Sequence, residues 1–336
     1  MRNGSILLFT LLLSFVASAQ KNFDKNGRAG LESIKPNDLR AHLTFLASSE
    51  LEGRETAYRG QKVAAQYIAA VFGKLGLKPA GENGTFFQHF ELDVRKPGER
   101  SSISIAGPNG TKQFLFRKDF LGTAIRETTF TATAVFAGHQ GTQLSSEQET
   151  ALAGKVAVVF AARGNEPGDT SRAQQRRSGR RFFRNAAATL FVINESESGS
   201  IEQQGSTFAN AIEKGQMSLR DAPRTPRFQV PLSFLVSPEV GAALLAPLGM
   251  EKLRAAGSSD TVFSPIPLAS ISITIDLKTS AEVKTSENVI GILEGSDRTL
   301  KDEFVVFTAH YDHVGVSASD GAIYHGADDD GSGTAT

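Results

Sequence analysis

The nine residues "DEFVVFTAH", Asp302 to His310, are apolar almost throughout and show no alternation. A strand of that texture is satisfied only when both of its faces are covered, which requires a sheet with layers on either side. A second strand signal, "SISITIDL", alternates apolar and polar residues with period two, as a half-buried strand does. The clearest helix is "RGQKVAAQYIAAVFGKLGL". Val63, Tyr67, Val71 and Leu75 form one ridge, Ala64, Ile68 and Phe72 the next, and Gly76 is a natural stop. Strand and helix signals are both present along the chain.

The apolar strand leads into "HYDHVGVSASDGAIYHGADDDGSG", His310 to Gly333, which holds three of the chain's six histidines and five aspartates. His310 and Asp312 stand two apart at a strand end, so their side chains can point the same way. A carboxylate beside a metal-ligating imidazole fixes its tautomer and makes it more basic. Asp320-Gly321 offers a tight turn, and "GADDDGSG" returns carboxylates between glycines that let the backbone approach an ion. The chain has no cysteine, so any metal must be held by nitrogen and oxygen, a donor set that fits catalytic rather than closed structural zinc. The alternative is a calcium loop. Against it, Asp328, Asp329 and Asp330 are consecutive rather than alternating, and no twelve-residue loop ends in glutamate. Neither HExxH nor GxSxG occurs.

Elsewhere the chain of 336 residues has 36 basic and 36 acidic side chains, which gives no global argument for nucleic acid or an anionic membrane as partner. Its length suits about two domains. Residues 1–19 read as a secretory signal peptide: Arg2, an apolar core from Ile6 to Val16, and the small-x-small pattern Ala17-Ser18-Ala19, with cleavage near Ala19. That apolar core is well short of the ~20 residues a spanning helix needs, so no integral membrane anchor is expected and the product is secreted or periplasmic. "KPNDLRAHLTFLAS" predicts a helix starting near Pro36, with His42 as a packed or surface histidine. From about 118 to 264 the texture changes to short strands ("TATAVFAGH", "GKVAVVFAAR", "ATLFVIN"), and in "QVPLSFLVSPEVGAALLAPL" a strand meets a Ser237-Pro238 helix start. Within this stretch Arg172, Arg176, Arg180 and Arg184 fall at i, i+4 steps, with Arg177 and Arg181 beside them. This is a solvated helix face or, on the sharper reading, an anion-binding surface.

The pair "TAHYDHVG" and "GADDDGSG", in that order after a hydrophobic strand, resembles the signature of the co-catalytic zinc exopeptidases of metallopeptidase family 28, of the aminopeptidase Y and bacterial leucyl aminopeptidase type. "DLRAHLTFLASSELEGRET" and its following helix are similar to the N-terminal region of secreted members, and residues 118–264 look like their inserted protease-associated domain. The resemblance implies an α/β catalytic domain whose mixed sheet is flanked by helices, with 20–117 as its first part and 265–336 as the start of its zinc-binding core. It implies two zinc ions, with His310 as a ligand of one and Asp312 as the neighbouring aspartate counted as catalytic. Asp328 is implied as the carboxylate bridging both ions, with a cis peptide to the next residue. His313 and His325 are left as structural or outer-shell groups. The substrates implied are peptides or proteins, attacked by metal-activated water.

The family's site also needs a Glu-Glu pair, a further aspartate and a last histidine. The sequence has no adjacent Glu-Glu, so the expectation is a protein that continues past Thr336, with the given stretch alone binding metal weakly and not turning over. Two rival readings stay open at this point. One is a peptidase-like binding protein without activity; the other is a related zinc-dependent aminoacyl cyclase.

Overall fold

A proline has no N–H to lose at the first turn of a helix, and Pro36 opens helix α1, Pro36–Leu46. The computed structural model describes residues 28–140, 142, 144–161, 183, 185–222, 231–255 and 263–336. The signal-peptide expectation (1–19) and the arginine series Arg172–Arg184 lie outside these residues. Chain contacts divide the molecule into two units.

One unit takes the described residues up to His89 together with Glu287–Val316 and Ala322–Thr336. Its core is small: Leu46, Leu51 and Ala64, with Phe45, Tyr67, Tyr311 and Ala335 packed against them. Tyr67 of helix α2, Arg59–Lys74, stacks on Phe45 at 4.2 Å between ring centroids, and its hydroxyl meets His42 Nδ1 at 2.9 Å. The predicted helix is therefore present, and His42 is a packed histidine. The buried side of α2, however, is Gly60, Gln61, Ala64, Ala65 and Ala69, whereas Val63 and Leu75 are exposed. Small residues are needed there because α2 runs hard against the preceding turn: a Cβ on Gly60 would lie 1.7 Å from the carbonyl oxygen of Leu51.

The predicted strand at 302–310 does not form. The segment makes no sheet pairing among the described residues, and Phe304, Val305, Val306 and Phe307 are 76–92 % exposed. An apolar run becomes a buried strand only when neighbours take its N–H and C=O groups and other layers cover its faces, and here neither is present.

The other unit comprises Phe90–Ser286 and Ser317–Gly321, a wider span than the 118–264 segment distinguished by texture. Its frame is an eight-stranded sheet of strands β1 (Ser102–Gly107), β2 (Gly110–Leu115), β3 (Phe120–Leu121), β4 (Thr128–His139), β5 (Val156–Phe160), β6 (Ala188–Val192), β7 (Leu232–Val236) and β8 (Ile266–Leu277). The spatial order is β2-β1-β8-β4-β5-β6-β7-β3. Strands β4 to β7 run parallel, and the remaining pairings are antiparallel. Because β1 pairs along β8, residues well before 118 belong to this unit.

Sequence texture accounts for each strand's place. In β5 the run VAVVF is buried at every residue, as a central parallel strand should be. In β8 the predicted alternation is realised as alternating burial. Phe120 and Phe234 meet edge to face at 5.7 Å, Phe136 and Phe160 at 5.3 Å, each ring contributing about 1.5–3 kcal/mol by burial. Ser237 caps helix α3, Pro238–Leu245, with its hydroxyl accepting from Val240 N. The mixed α/β architecture is thus realised. No described helix is long and apolar enough to cross a membrane.

Candidate metal centre

Tyr311 is the pivot of the motif. Gln61 Nε2 donates to its phenol oxygen, and the phenol donates to the carbonyl of Glu287. Burial, helped by the nearby Glu287 charge, pushes the phenol well above its ordinary pKa, so it stays a neutral donor. Tyr311 packs against the core, while the His310 side chain is half exposed and that of Asp312 about one-third exposed.

His310 Nδ1 lies 3.1 Å from the carbonyl oxygen of Asp312 and 3.3 Å from its carboxylate Oδ1. Carbonyl and carboxylate oxygens only accept, so the charged ring donates from both nitrogens, and in the neutral ring the two Asp312 acceptors favour the proton on Nδ1 and leave Nε2 its lone pair. That Nε2 stands 3.1 Å from Oδ1 of Asp329. Burial on its own would lower the His310 pKa. The hydrogen bond to Asp312 and the charges of Asp312, Asp329 and Asp330 outweigh it and raise the value above that of an ordinary imidazole.

The carboxylate facing His310 belongs to Asp329, the middle residue of the triplet, and not to Asp328. Asp328 is exposed and makes no ion pair with His310. The loop Ala327–Gly331 leaves helical geometry at Asp329 (φ −120°, ψ 94°) and Asp330 (φ −124°, ψ 39°), which carries the second acid toward the imidazole. The cis peptide joins Asp329 to Asp330, one step later than the resemblance placed it. Asp330 Oδ1 accepts from Gly333 N. His313, 14 % exposed, has Nδ1 3.6 Å from Asp329 Oδ2. His325 instead meets the carbonyl of Ala47 at 3.0 Å.

Two groups that carried no assigned role in the sequence complete the cluster. Arg54 is fully buried. Its guanidinium donates to the carbonyls of Tyr311 (2.7 Å), His325 (2.8 Å) and Gly326 (2.8 Å), and to that of Leu46. Burial depresses its pKa, and the charges of Asp312, Asp329 and Asp330 act in the opposite sense. Thr56 Oγ1 donates to Asp312 Oδ2 at 2.5 Å. The turn that presents them is left-handed at Glu52, Gly53 and Arg54. It is clamped to the motif by His313 N to Arg54 O (2.9 Å) and Gly315 N to Gly53 O (3.0 Å). The signal was present in "LEGRET": a charged residue beside a glycine in a loop, inside the stretch that resembles secreted peptidases.

Nitrogen and oxygen donors 3.1 Å apart, free of sulfur, suit a zinc ion, whose bonds to such donors are about 2.0–2.2 Å. Among the described residues no group of three or more His, Asp or Glu is arranged to hold a metal, so His310 and Asp329 fit part of such a site. A separate open groove of about 700 Å³ is lined by Arg59, Lys62, Val63, Gln66, Phe87, His89 and Glu287 and contains none of these acids.

Residues 288–336 match the model of Peptidase family M28. No curated protein sequence matches the chain. Among solved structures it is similar to an aminopeptidase from Aneurinibacillus sp. strain AM-1 (17% identity, TM-score 0.38, covering 90% of this chain and 57% of that one). It is also similar to BSAP, a zinc aminopeptidase from Bacillus subtilis (18% identity, TM-score 0.32, covering 90% and 55%). The chain therefore spans somewhat over half the length of these proteins.

Proposed function

We propose that the protein is a zinc-dependent exopeptidase of aminopeptidase type, exported behind a cleaved leader, that releases N-terminal residues from peptides, a reading supported by the match of residues 288–336 to the model of Peptidase family M28. The aminopeptidase specificity is what the resemblance carried by the HYDH and GADDDGSG motifs implies. The observation that carries the reading is the convergence of His310 Nε2 and Asp329 Oδ1 at 3.1 Å, with the far side of the imidazole pinned by Asp312.

In this reading His310 and Asp329 are metal ligands. Zinc held there would supply Lewis-acid polarisation of the scissile carbonyl and a water acidic enough to ionise near neutral pH. Asp312 keeps the His310 proton on Nδ1 and so keeps Nε2 available to the metal. Asp329 brings negative charge to the cation, and Arg54 balances the acids from behind. Two donors fall short of the three that a catalytic zinc takes from protein. The reading therefore includes further ligands and a general base for the water proton, from outside the described cluster.

The test is hydrolysis of aminoacyl-4-nitroanilides by the full-length protein. Activity should vanish with a chelator and return with added zinc; hydrolysis that persists through chelation would rule the reading out. Export is checked separately, by N-terminal sequencing of the mature protein for a start near Gln20.

A further inference from the structure

We infer that Thr56, from the turn after Arg54, is a positioning residue for the His310 imidazole, acting through the Asp312 carboxylate. The inference deepens the peptidase reading and rests on it for the role of His310 as a ligand.

Asp312 uses both carboxylate oxygens. Oδ1 is turned to His310 Nδ1 at 3.3 Å, and Oδ2 receives the Thr56 hydroxyl at 2.5 Å. The terminal torsion of an aspartate is broad and roughly two-fold, and this side chain is about one-third exposed. The backbone alone therefore does not hold Oδ1 toward the ring. The Thr56 hydroxyl is the side-chain group seen to fix the opposite oxygen, and so it selects the rotamer in which Oδ1 meets Nδ1.

The hydroxyl is itself held in register. Its neighbour Glu55 bridges to His313, and Arg54 O accepts from His313 N at 2.9 Å. Arg54 also grips the carbonyls of Tyr311 and Gly326, beside the two segments that carry His310 and Asp329. Thr56 is thus fixed to the same frame as the groups it orients. Outer-shell hydrogen bonds of this kind set which nitrogen of a ligand histidine is offered to metal, and their loss commonly weakens binding about 10–100-fold.

The experiment compares wild type, Thr56→Val and Thr56→Ser in the full-length protein. The first measurement uses metal-free, 15N-histidine-labelled protein and reads the tautomer of neutral His310. Wild type and Thr56→Ser should hold the proton on Nδ1, while Thr56→Val should give an averaged signal. The second is zinc affinity by competition with a chromogenic chelator: Thr56→Val should bind roughly 10–100-fold more weakly and Thr56→Ser close to wild type, with unfolding midpoints of the metal-free proteins little changed. Wild-type tautomer and affinity in Thr56→Val would overturn the inference, as would Thr56→Ser behaving like Thr56→Val. If wild type binds no zinc while the tautomer pattern holds, the peptidase reading falls and the positioning role stands.

Discussion

Asp329 Oδ1 stands 3.1 Å from His310 Nε2, while Asp328, one residue earlier, makes no ion pair with that ring, and its backbone carbonyl accepts from the Ser332 hydroxyl. Adjacent acids in one loop therefore have opposite fates, and a pair of substitutions separates them. Asp329→Asn should weaken zinc binding by more than the roughly 10–100-fold typical of outer-shell changes and remove peptidase activity. Asp328→Asn should leave zinc affinity within a few-fold of wild type by the same comparison. Zinc competition and nitroanilide turnover read both, and the reverse ranking would restore Asp328 as the ligand.

The raised pKa of His310 sets a pH dependence. The folded chain holds this proton more tightly than the unfolded chain does. The associated stability is therefore complete below the ordinary value of 6.5 and is lost as pH climbs through the raised one. With the ring half exposed, solvent screening keeps that contribution small. Metal binding has the opposite sense, because zinc needs the neutral ring: affinity should climb as pH rises through the same value. An NMR titration should place the wild-type midpoint above 6.5, and Asp312→Asn, which removes one favourable charge, should bring it down.

Replacing Arg54 leaves several carbonyls without a donor and three acids without their buried counter-charge. Arg54→Met should cost about 3–5 kcal/mol, in the range found when one partner of a buried charge network is removed. Arg54→Lys keeps the charge but not the planar fork, and should recover only part of the loss. Urea unfolding followed by tyrosine fluorescence measures this, and a change under about 1 kcal/mol would contradict the packing described.

Gly53→Ala should also be destabilising, by on the order of 2–4 kcal/mol. The position has φ +66°, and a Cβ would come within 2.5 Å of the carbonyl oxygens of Gly315 and Tyr324, adding left-handed strain to a backbone clash. The same unfolding measurement applies. Gly84→Ala is the control, since it shares the left-handed backbone (φ +74°) but meets nothing within 4 Å.

In the sheet unit, Phe234→Ala removes a ring packed on Phe120 at a position only 2 % exposed. It should cost about 3–5 kcal/mol and leave the His310 titration unchanged, because Phe234 and His310 lie in different units.

The legible part of this chain was its local structure. The alternating strand β8 and the Ser237-Pro238 helix start each follow from a pattern a few residues long and stand where it puts them, and helix α2 forms where expected but buries Gly60, Gln61 and its alanines rather than Val63 and Leu75. His310 and Asp312 meet without the strand that their spacing suggested, through the contact of the imidazole with the carbonyl and carboxylate of Asp312. Less legible was which acid of Asp328-Asp329-Asp330 would face the imidazole. Three identical neighbours give periodicity nothing to choose between, and the choice is made by backbone torsions inside the loop. Arg54 and Thr56 were hidden for a different reason. Their partners are Asp312, Tyr311 and Gly326, more than 250 positions away, and single-sequence reading has no term for contacts at that range. The apolar run Phe304–Phe307 reads as a buried strand because burial depends on neighbours that the run itself does not contain.

The Arg54 contacts also impose a schedule on the newborn chain. Gly326 follows Arg54 by 272 residues, which at ribosomal speeds of about 5–20 residues per second is a delay of roughly 15–50 s. For most of that interval the guanidinium has none of its Tyr311, His325 or Gly326 acceptors, while the strands from Ser102 to Leu277 are already emerging. The sheet can therefore settle before the cluster around His310 is complete.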